Sequence, residues 1–425
     1  MTLRNLTVTN FRSFEKSEID FTPLSLIVGA NASGKSNLIN VFRFIKDIIA
    51  DGVNNAIDLQ GGISYLSNVR FPKGTPITIS FVLDFSDEEW YINHISSRKY
   101  TSRYRNMKYI FSIVPNKYGT GFKIAEDRLS FTSEFFMMDY SLGTKGLKPL
   151  NIILEEEYYK KNINSGYHYR PNCSTIKNKE IIELIKSNIV SKVFLQLMNK
   201  EKKELLLNRT PFFLPSVFSD SFIRIFDFDP KELKKASSIT SIKSLSENGS
   251  NLASVLHEII RKKESKEKLT TLLRLFLPYV NDLSVESNID RSYSYTISET
   301  FSQNAFHSLF LSDGTVSILA LIIALFFEER ASIIILEEPE RNLHPKLLIN
   351  LLSSAEDVSK EKQIIITTHN PEFLKHAKIE SVRLISRNKD GNSIVTEPAN
   401  NTVVKTFLEN DLGLDDLFMQ NLLGV

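Results

Sequence analysis

The chain has 425 residues, a formal net charge of +2 and 42% hydrophobic residues, enough for one large or two ordinary domains with a sizeable core. Charged residues are plentiful and mixed in sign, which excludes a disordered acidic tail and a strongly basic nucleic-acid coat. A single cysteine, Cys173, excludes an internal disulfide framework and a CxxC zinc site, and fits a reducing cytoplasm.

Alternating apolar residues from Leu3 predict two strands between Leu3 and Phe21, joined by a turn at Asn10-Phe11-Arg12-Ser13-Phe14-Glu15, and not a targeting leader. A short apolar strand at 24–28 follows, and then a glycine-containing loop opens a helix from about Lys35. Ile77, Ile79, Phe81, Leu83 and Phe85 alternate as in a half-buried strand. Residues 87–246 have a different texture, rich in Tyr, Phe, Lys, Asn and Ser. They carry strand-like pieces near 109–114 and 150–154 and helix-like pieces over 180–207. No heptad register is sustained, so a globular α+β insertion is expected, not a long coiled-coil arm.

Beyond it, a helix at 251–276 leads to strands at 282–287 and 292–298. Helix 314–329, strand 332–336, helix 345–358, strand 363–367 and a last strand at 381–386 follow. Short apolar strands alternating with helices indicate a largely parallel sheet. The longest apolar stretch, 318–327, falls far short of the roughly 20 residues that span a bilayer; a buried helix and no membrane contact are expected.

Three segments carry chemistry. Gly29-Ala30-Asn31-Ala32-Ser33-Gly34-Lys35-Ser36 fits G-x-x-x-x-G-K-[ST] between an apolar strand and a helix. Its backbone N–H groups would wrap a phosphate at the helix N-terminus. Lys35 would reach the β- and γ-phosphates of ATP and Ser36 would ligate Mg²⁺. Ile333-Ile334-Ile335-Leu336-Glu337-Glu338-Pro339-Glu340 is an apolar strand ending in carboxylates, with Glu337 assigned to the metal and Glu338 to the attacking water. Ile364-Ile365-Ile366-Thr367-Thr368-His369 is a second buried strand, ending in a histidine.

Leu311-Ser312-Asp313-Gly314, just before the acidic strand, resembles the signature of the ABC-type ATPases. By that resemblance Ser312 and Gly314 of one copy close on the γ-phosphate held by another, and His369 contacts that phosphate and senses its loss. Asn10-Phe11-Arg12-Ser13-Phe14, the pattern Gly29-x-Asn31-x-Ser33-Gly34-Lys35-Ser36-Asn37, and Glu337-Glu338-Pro339-Glu340-Arg341-Asn342-Leu343-His344-Pro345 look like the Rad50/RecF/OLD branch. The resemblance covers roughly the first 85 and last 180 residues by motif placement. It implies a split ABC-type ATPase head, a P-loop NTPase mixed α/β sheet. Its N-terminal lobe would be residues 1–86, the insertion 87–246 and its C-terminal lobe 247–425. It also places Arg12 near the nucleotide, although a surface arginine in a turn is the other reading of that residue. Asn31, Gly34 and Asn37 fall on its nucleotide motif, and residues 340–345 on the loop lining the dimer interface. Gln60 is a candidate for the glutamine that couples metal to insertion, although a loop glutamine needs no function.

Residues 98–123 carry Arg98, Lys99, Arg103, Arg105, Lys108, Lys117 and Lys123 without an acidic residue, interleaved with Tyr100, Tyr104, Tyr109 and Tyr118. That chemistry suits nucleic-acid phosphates and bases, a protein partner or a solvated strand. Only about 55 residues follow His369, short for another domain of typical size. No nuclease domain is therefore expected in the chain, and any nuclease would be a separate polypeptide. The tail from Asp411 to Phe418 reads as a short amphipathic helix.

The expectation is an ATP-dependent switch subunit that dimerises on ATP, or forms a higher oligomer, and controls a separately encoded effector. Stand-alone heads of this kind resemble the ATPase partners in two-gene anti-phage systems such as Septu and PARIS. A RecF-like repair ATPase acting directly on DNA is the alternative, and an ABC transporter engine fits least because of the long insertion.

Overall fold

A computed structural model describes residues 1–85, 100–117, 121–139, 146–160, 166–174, 176–186, 205–209, 222–240, 244–402, 404 and 413–419. The chain divides into two compact units that interleave in sequence. The first comprises Met1–Phe21, Asn37–Phe222 and Arg387–Val395, the second Thr22–Ser36, Ile223–Ser386 and Thr396–Val425.

The first unit is built on a seven-stranded sheet of order β2-β1-β4-β5-β6-β7-β8. Its strands are β1 (Thr2–Phe11), β2 (Phe14–Asp20), β4 (Ile77–Asp84), β5 (Tyr100–Pro115), β6 (Phe122–Asp139), β7 (Gly146–Lys160) and β8 (Tyr167–Asn172); β3 (Leu24–Val28) lies in the second unit. Every neighbouring pair is antiparallel. Ile77, Ile79, Phe81 and Leu83 are buried as their alternation requires. β5 pairs with β4 from Ile77↔Ile113 to Asp84↔Asn106, satisfying backbone groups that an edge strand would leave open. The strands of residues 100–172 thus continue the N-terminal sheet.

Along β5 the two-residue period sorts the Tyr/Lys segment into faces. Tyr100, Tyr104 and Tyr109 are buried, whereas Arg105 and Lys108 are exposed. A register shift between Tyr104 and Asn106 lets two tyrosines five positions apart point the same way, as a bulge does. These tyrosines are core residues, which corrects the expectation that they could stack on bases. Arg103 and Arg105 both pair with Glu134 of β6, at 3.1 and 3.2 Å, which lowers the charge they could offer a phosphate. Arg98, Lys99 and Tyr118 lie outside the described residues, as do residues 187–204 of the expected helical stretch.

A buried carboxyl lies on β6 of this sheet. Asp127, 1% exposed, accepts from Tyr109 Oη at 2.7 Å, from Tyr167 Oη, and from the Leu206 N–H at 2.9 Å. Burial pushes its pKa up to about 6, against the hydrogen bonds from Tyr167, Tyr109 and Leu206. The folded state therefore holds a proton there that the unfolded chain releases near pH 4. The stability this proton contributes is full below the unfolded pKa and is lost as pH rises through about 6. At two units the effect is at most about 3 kcal/mol. Denaturant titrations from pH 4 to 7 are expected to show the parent losing this increment and Asp127→Asn not; equal pH slopes would refute it.

In the second unit, strands β16 (Val382–Arg387), β3, β15 (Gln363–Thr368), β14 (Ile333–Glu337) and β9 (Ile223–Phe226) lie side by side in that order. All their pairings are parallel. β9 falls within the residues read as an insertion, yet pairs with β14 from Ile333↔Ile223 to Leu336↔Phe226. A separate antiparallel sheet contains β10 (Ser237–Ser238), β11 (Val280–Ser287), β12 (Ser292–Glu299) and β13 (Phe306–His307).

The helix expected over 251–276 is two helices, Leu252–Ile260 and Lys263–Phe276. Lys262 adopts extended backbone at φ −99°, ψ 117°, which ends one apolar face and re-aims the next. Helix Asp313–Phe326 is buried continuously from Thr315 to Leu325, the pattern of a helix enclosed on all sides. It shares one core with Leu26, Val28, Ile334, Leu336, Ile364 and Ile366. The tail helix Leu414–Met419 seats Leu414 and Leu417 in that core; Asp411 and Leu412 lie outside the described residues. No described helix is long and apolar enough to cross a membrane.

Candidate active site

Parallel register sets the carboxyl ends of three strands together. Val28 stands opposite Thr368, and Glu337 opposite Thr367, so the glycine loop, the acidic turn and His369 leave the sheet along one edge. Open parallel sheets bind ligands at this edge.

The loop after β3 is shaped by sterics. A side chain at Gly29 would meet the Ile385 carbonyl at 2.3 Å, so only glycine fits there. Ala32 and Gly34 have positive φ, 63° and 122°. Lys35 begins helix Lys35–Leu59 and folds back, its Nζ donating to the Gly29 and Ala30 carbonyls at 2.8 and 3.1 Å. The ammonium stands 3.8 Å from Glu338 Oε1. Burial lowers the Lys35 pKa, opposed by Glu338, Glu340 and Glu337. Asn31 and Ser36 are exposed, and Gly34 is buried within the loop.

Glu338 is held from two sides. It has positive φ, 44°, and its N–H donates to the Thr367 carbonyl at 2.9 Å, tying the turn to β15. Arg341 donates Nε and one terminal nitrogen to Glu338 Oε2 at 3.1 and 3.0 Å, and the other to Asp227 at 2.8 Å. His369 Nδ1 lies 3.2 Å from Glu338 Oε1 and 3.8 Å from Glu340 Oε1. Burial works against the Glu338 charge, but the hydrogen bonds from Arg341 and His369 hold its pKa below the usual carboxylate range. For Arg341, burial is outweighed by Glu338 and Asp227, which raise its pKa.

Ser312 caps helix Asp313–Phe326, accepting from the Thr315 N–H at 3.1 Å. It is exposed, and Asp313 beside it pairs with Lys234 at 2.5 Å. A side chain at Gly314 would meet the Asn342 carbonyl at 2.9 Å, so glycine lets the 340–345 loop approach this helix. His344 caps the next helix, Pro345–Val358.

The remaining expected residues belong to the first unit. Arg12, at φ 48°, donates to Gln60 Oε1 at 2.6 Å, so the oxygen a metal would need is already taken. Burial, then Arg43, lowers the Arg12 pKa. Asn37 donates to Ser13 Oγ at 2.7 Å. Arg12, Asn37 and Gln60 line one cleft with Arg70 and Arg387.

Thus Lys35, Glu338 and His369 come together within one unit. Asp227 and Thr368 join them without a role assigned from sequence, as do Glu340 and Arg341, which the family resemblance places only on the dimer-interface loop. Glu340 and Arg341 were visible only as members of a motif. Asp227 lies 114 positions from Arg341 and carries no local signal.

The family described as AAA ATPase domain matches residues 1–374. The chain belongs to this family. Its mixed α/β fold is similar to that of a solved SMC head. A crystal structure of the SMC head bound to the C-terminal winged-helix domain of ScpA matches with a TM-score of 0.52 at 15% identity, covering 93% of this chain and 98% of that one. The SMC head domain from Thermotoga maritima matches with a TM-score of 0.44 at 14% identity, covering 93% and 99%. The SMC head with an extended coiled coil, bound to the C-terminal domain of ScpA derived from Pyrococcus furiosus, matches at 0.44 and 13%, covering 93% and 95%. No curated protein matches the chain. This AAA ATPase domain protein has the fold of an ABC/SMC-like ATPase.

Proposed function

We propose that this AAA ATPase domain protein is a switch, in which ATP closes two copies on each other, hydrolysis reopens them, and the change controls a separate effector in anti-phage defence or DNA surveillance. The observation that carries the reading is the meeting of Lys35, Glu338 and His369 at one strand edge, 3.8 and 3.2 Å apart through the Glu338 carboxylate. Lys35 now sits on loop carbonyls and would exchange them for the β- and γ-phosphates. Glu338 would take the proton of the attacking water. His369 would contact the γ-phosphate.

The exposed Ser36, in the first turn of the helix after the glycine loop, fits a magnesium ion beside a phosphate. That ion would rest on Ser36, Glu337, phosphate and water, and would neutralise charge developing on the γ-phosphate. By the family resemblance Arg12, Asn31, Gly34 and Asn37 would be further nucleotide contacts, whereas the Arg12 bond to Gln60 Oε1 weighs against Gln60 as a metal contact.

Ser312 and Gly314 are assigned to the nucleotide of a second copy. The outward exposure of Ser312 supports that assignment. A separate effector is in keeping with the SMC head solved with a domain of another protein, ScpA. The burial of three tyrosines of β5 and the pairing of Arg103 and Arg105 weigh against direct DNA binding there.

Complementation tests the composite site. Ser312→Arg and Lys35→Ala subunits are each expected to be inactive and to regain hydrolysis when mixed, because a mixed dimer holds one intact site. Parental hydrolysis by Ser312→Arg alone, or no recovery on mixing, would count against the reading. The effector is sought by purification from native cells with mass identification of what stays bound.

A further inference from the structure

We infer that Glu340 is a positioning residue for hydrolysis, acting through His369; the inference rests on the function proposed above. Glu340 is 7% exposed, unusual for a carboxylate without a lysine or arginine on it. Its Oε1 accepts from Thr368 Oγ1 at 2.5 Å and from the His369 N–H at 3.3 Å. Its Oε2 is buried without a hydrogen-bond partner. Burial raises its pKa, opposed first by the Thr368 hydrogen bond. A buried, half-satisfied carboxylate is costly, and a purely apolar residue would close this turn more cheaply.

What the carboxylate secures is the direction of the imidazole. Thr368 Oγ1 also accepts from the Asn370 N–H at 2.9 Å, so one Glu340 oxygen and one hydroxyl fix the backbone on both sides of His369. The ring then turns Nδ1 toward Glu338 and Glu340, at 3.2 and 3.8 Å. That leaves Nε2, which donates to a phosphate oxygen when both ring nitrogens carry protons, on a side chain that is 43% exposed. The carboxylate on the ring itself is Glu338, which sets the nitrogen left for chemistry, while Glu340 holds the backbone that carries the ring. Glu340 itself needs only an acceptor oxygen.

The test is steady-state ATP hydrolysis and nucleotide binding in full-length Glu340→Gln, Glu340→Ala and Thr368→Val. Gln keeps the acceptor and is expected to stay within about threefold of parental kcat. Ala is expected to lose about tenfold in kcat, the scale of a small misplacement of a reacting group, with ATP affinity unchanged. Thr368→Val, which keeps the side-chain shape and removes the hydroxyl, is expected to lower kcat in the same direction and remains informative should the Ala variant fail to fold. The inference is overturned by parental kcat in Thr368→Val or Glu340→Ala, by equal loss in Gln and Ala, or by a fall in ATP affinity that matches the fall in rate. Glu338→Gln separates the two levels. Parental hydrolysis in that variant removes the underlying reading, whereas its loss beside a parental Glu340→Ala removes only the role of Glu340.

Discussion

Glu338→Gln is expected to bind ATP and to lose about 10²–10⁴-fold in hydrolysis, the range that a positioned general base contributes. The substitution keeps the shape of the side chain and an acceptor for Arg341, which stays anchored on Asp227 at 2.8 Å. It removes the charge that faces Lys35 at 3.8 Å and His369 at 3.2 Å. Fold and nucleotide affinity should therefore survive while proton transfer does not. Stalled after binding, two copies should remain closed on ATP, seen as a doubled mass by light scattering with ATP and not without it. Phosphate release at the parental rate would remove Glu338 as the base.

Lys35→Ala is expected to lose ATP affinity about tenfold or more, since hydrogen bonds to a charged group contribute about 1.5–3 kcal/mol and 1.4 kcal/mol is tenfold. Hydrolysis should fall to background. The lysine is buried, its charge opposed by desolvation and supported by Glu338, Glu340 and Glu337. Removing such a cation costs fold stability little beyond its two carbonyl contacts, because desolvation offsets much of the Coulombic gain. The thermal midpoint without nucleotide should thus move far less than the binding constant, measured by titration of a fluorescent ATP analogue. Unchanged ATP binding would eliminate the phosphate-loop assignment.

The surroundings of Glu338 bear on the hydrolytic role proposed for it. Both oxygens of Glu338 are occupied, Oε2 by Arg341 and Oε1 by His369 with Lys35 beyond it. An oxygen already accepting a hydrogen bond from the Arg341 guanidinium is a poor acceptor for the proton of water. Arg341 sits on the loop that the family resemblance assigns to the dimer contact, so closure and release of the base would involve the same side chain.

The strands, most helices and three of the chemical segments were legible from sequence because each depends on local pattern. Apolar runs of five or six residues ending in Glu337 or Thr368 have the length of buried strands with a polar end, and Gly29 announces a close backbone approach. Periodicity could not tell which strands share a sheet. Hydrogen-bond pairing decides that between distant residues: β9 joins β14 across more than a hundred positions, and β5 extends the sheet of β1 and β4. Nor could charge spacing separate a basic surface from a strand with tyrosines facing inward; the bulge after Tyr104 settles that by turning Tyr109 to the core. The sequence by itself determined the glycine loop, its lysine and the acidic strand end. Only the tertiary structure decided what surrounds them, because parallel register brings Thr367 and Thr368 beside Glu337 and Val28. The grip of Asp227, Glu340 and Arg341 on Glu338 and His369 follows from that register.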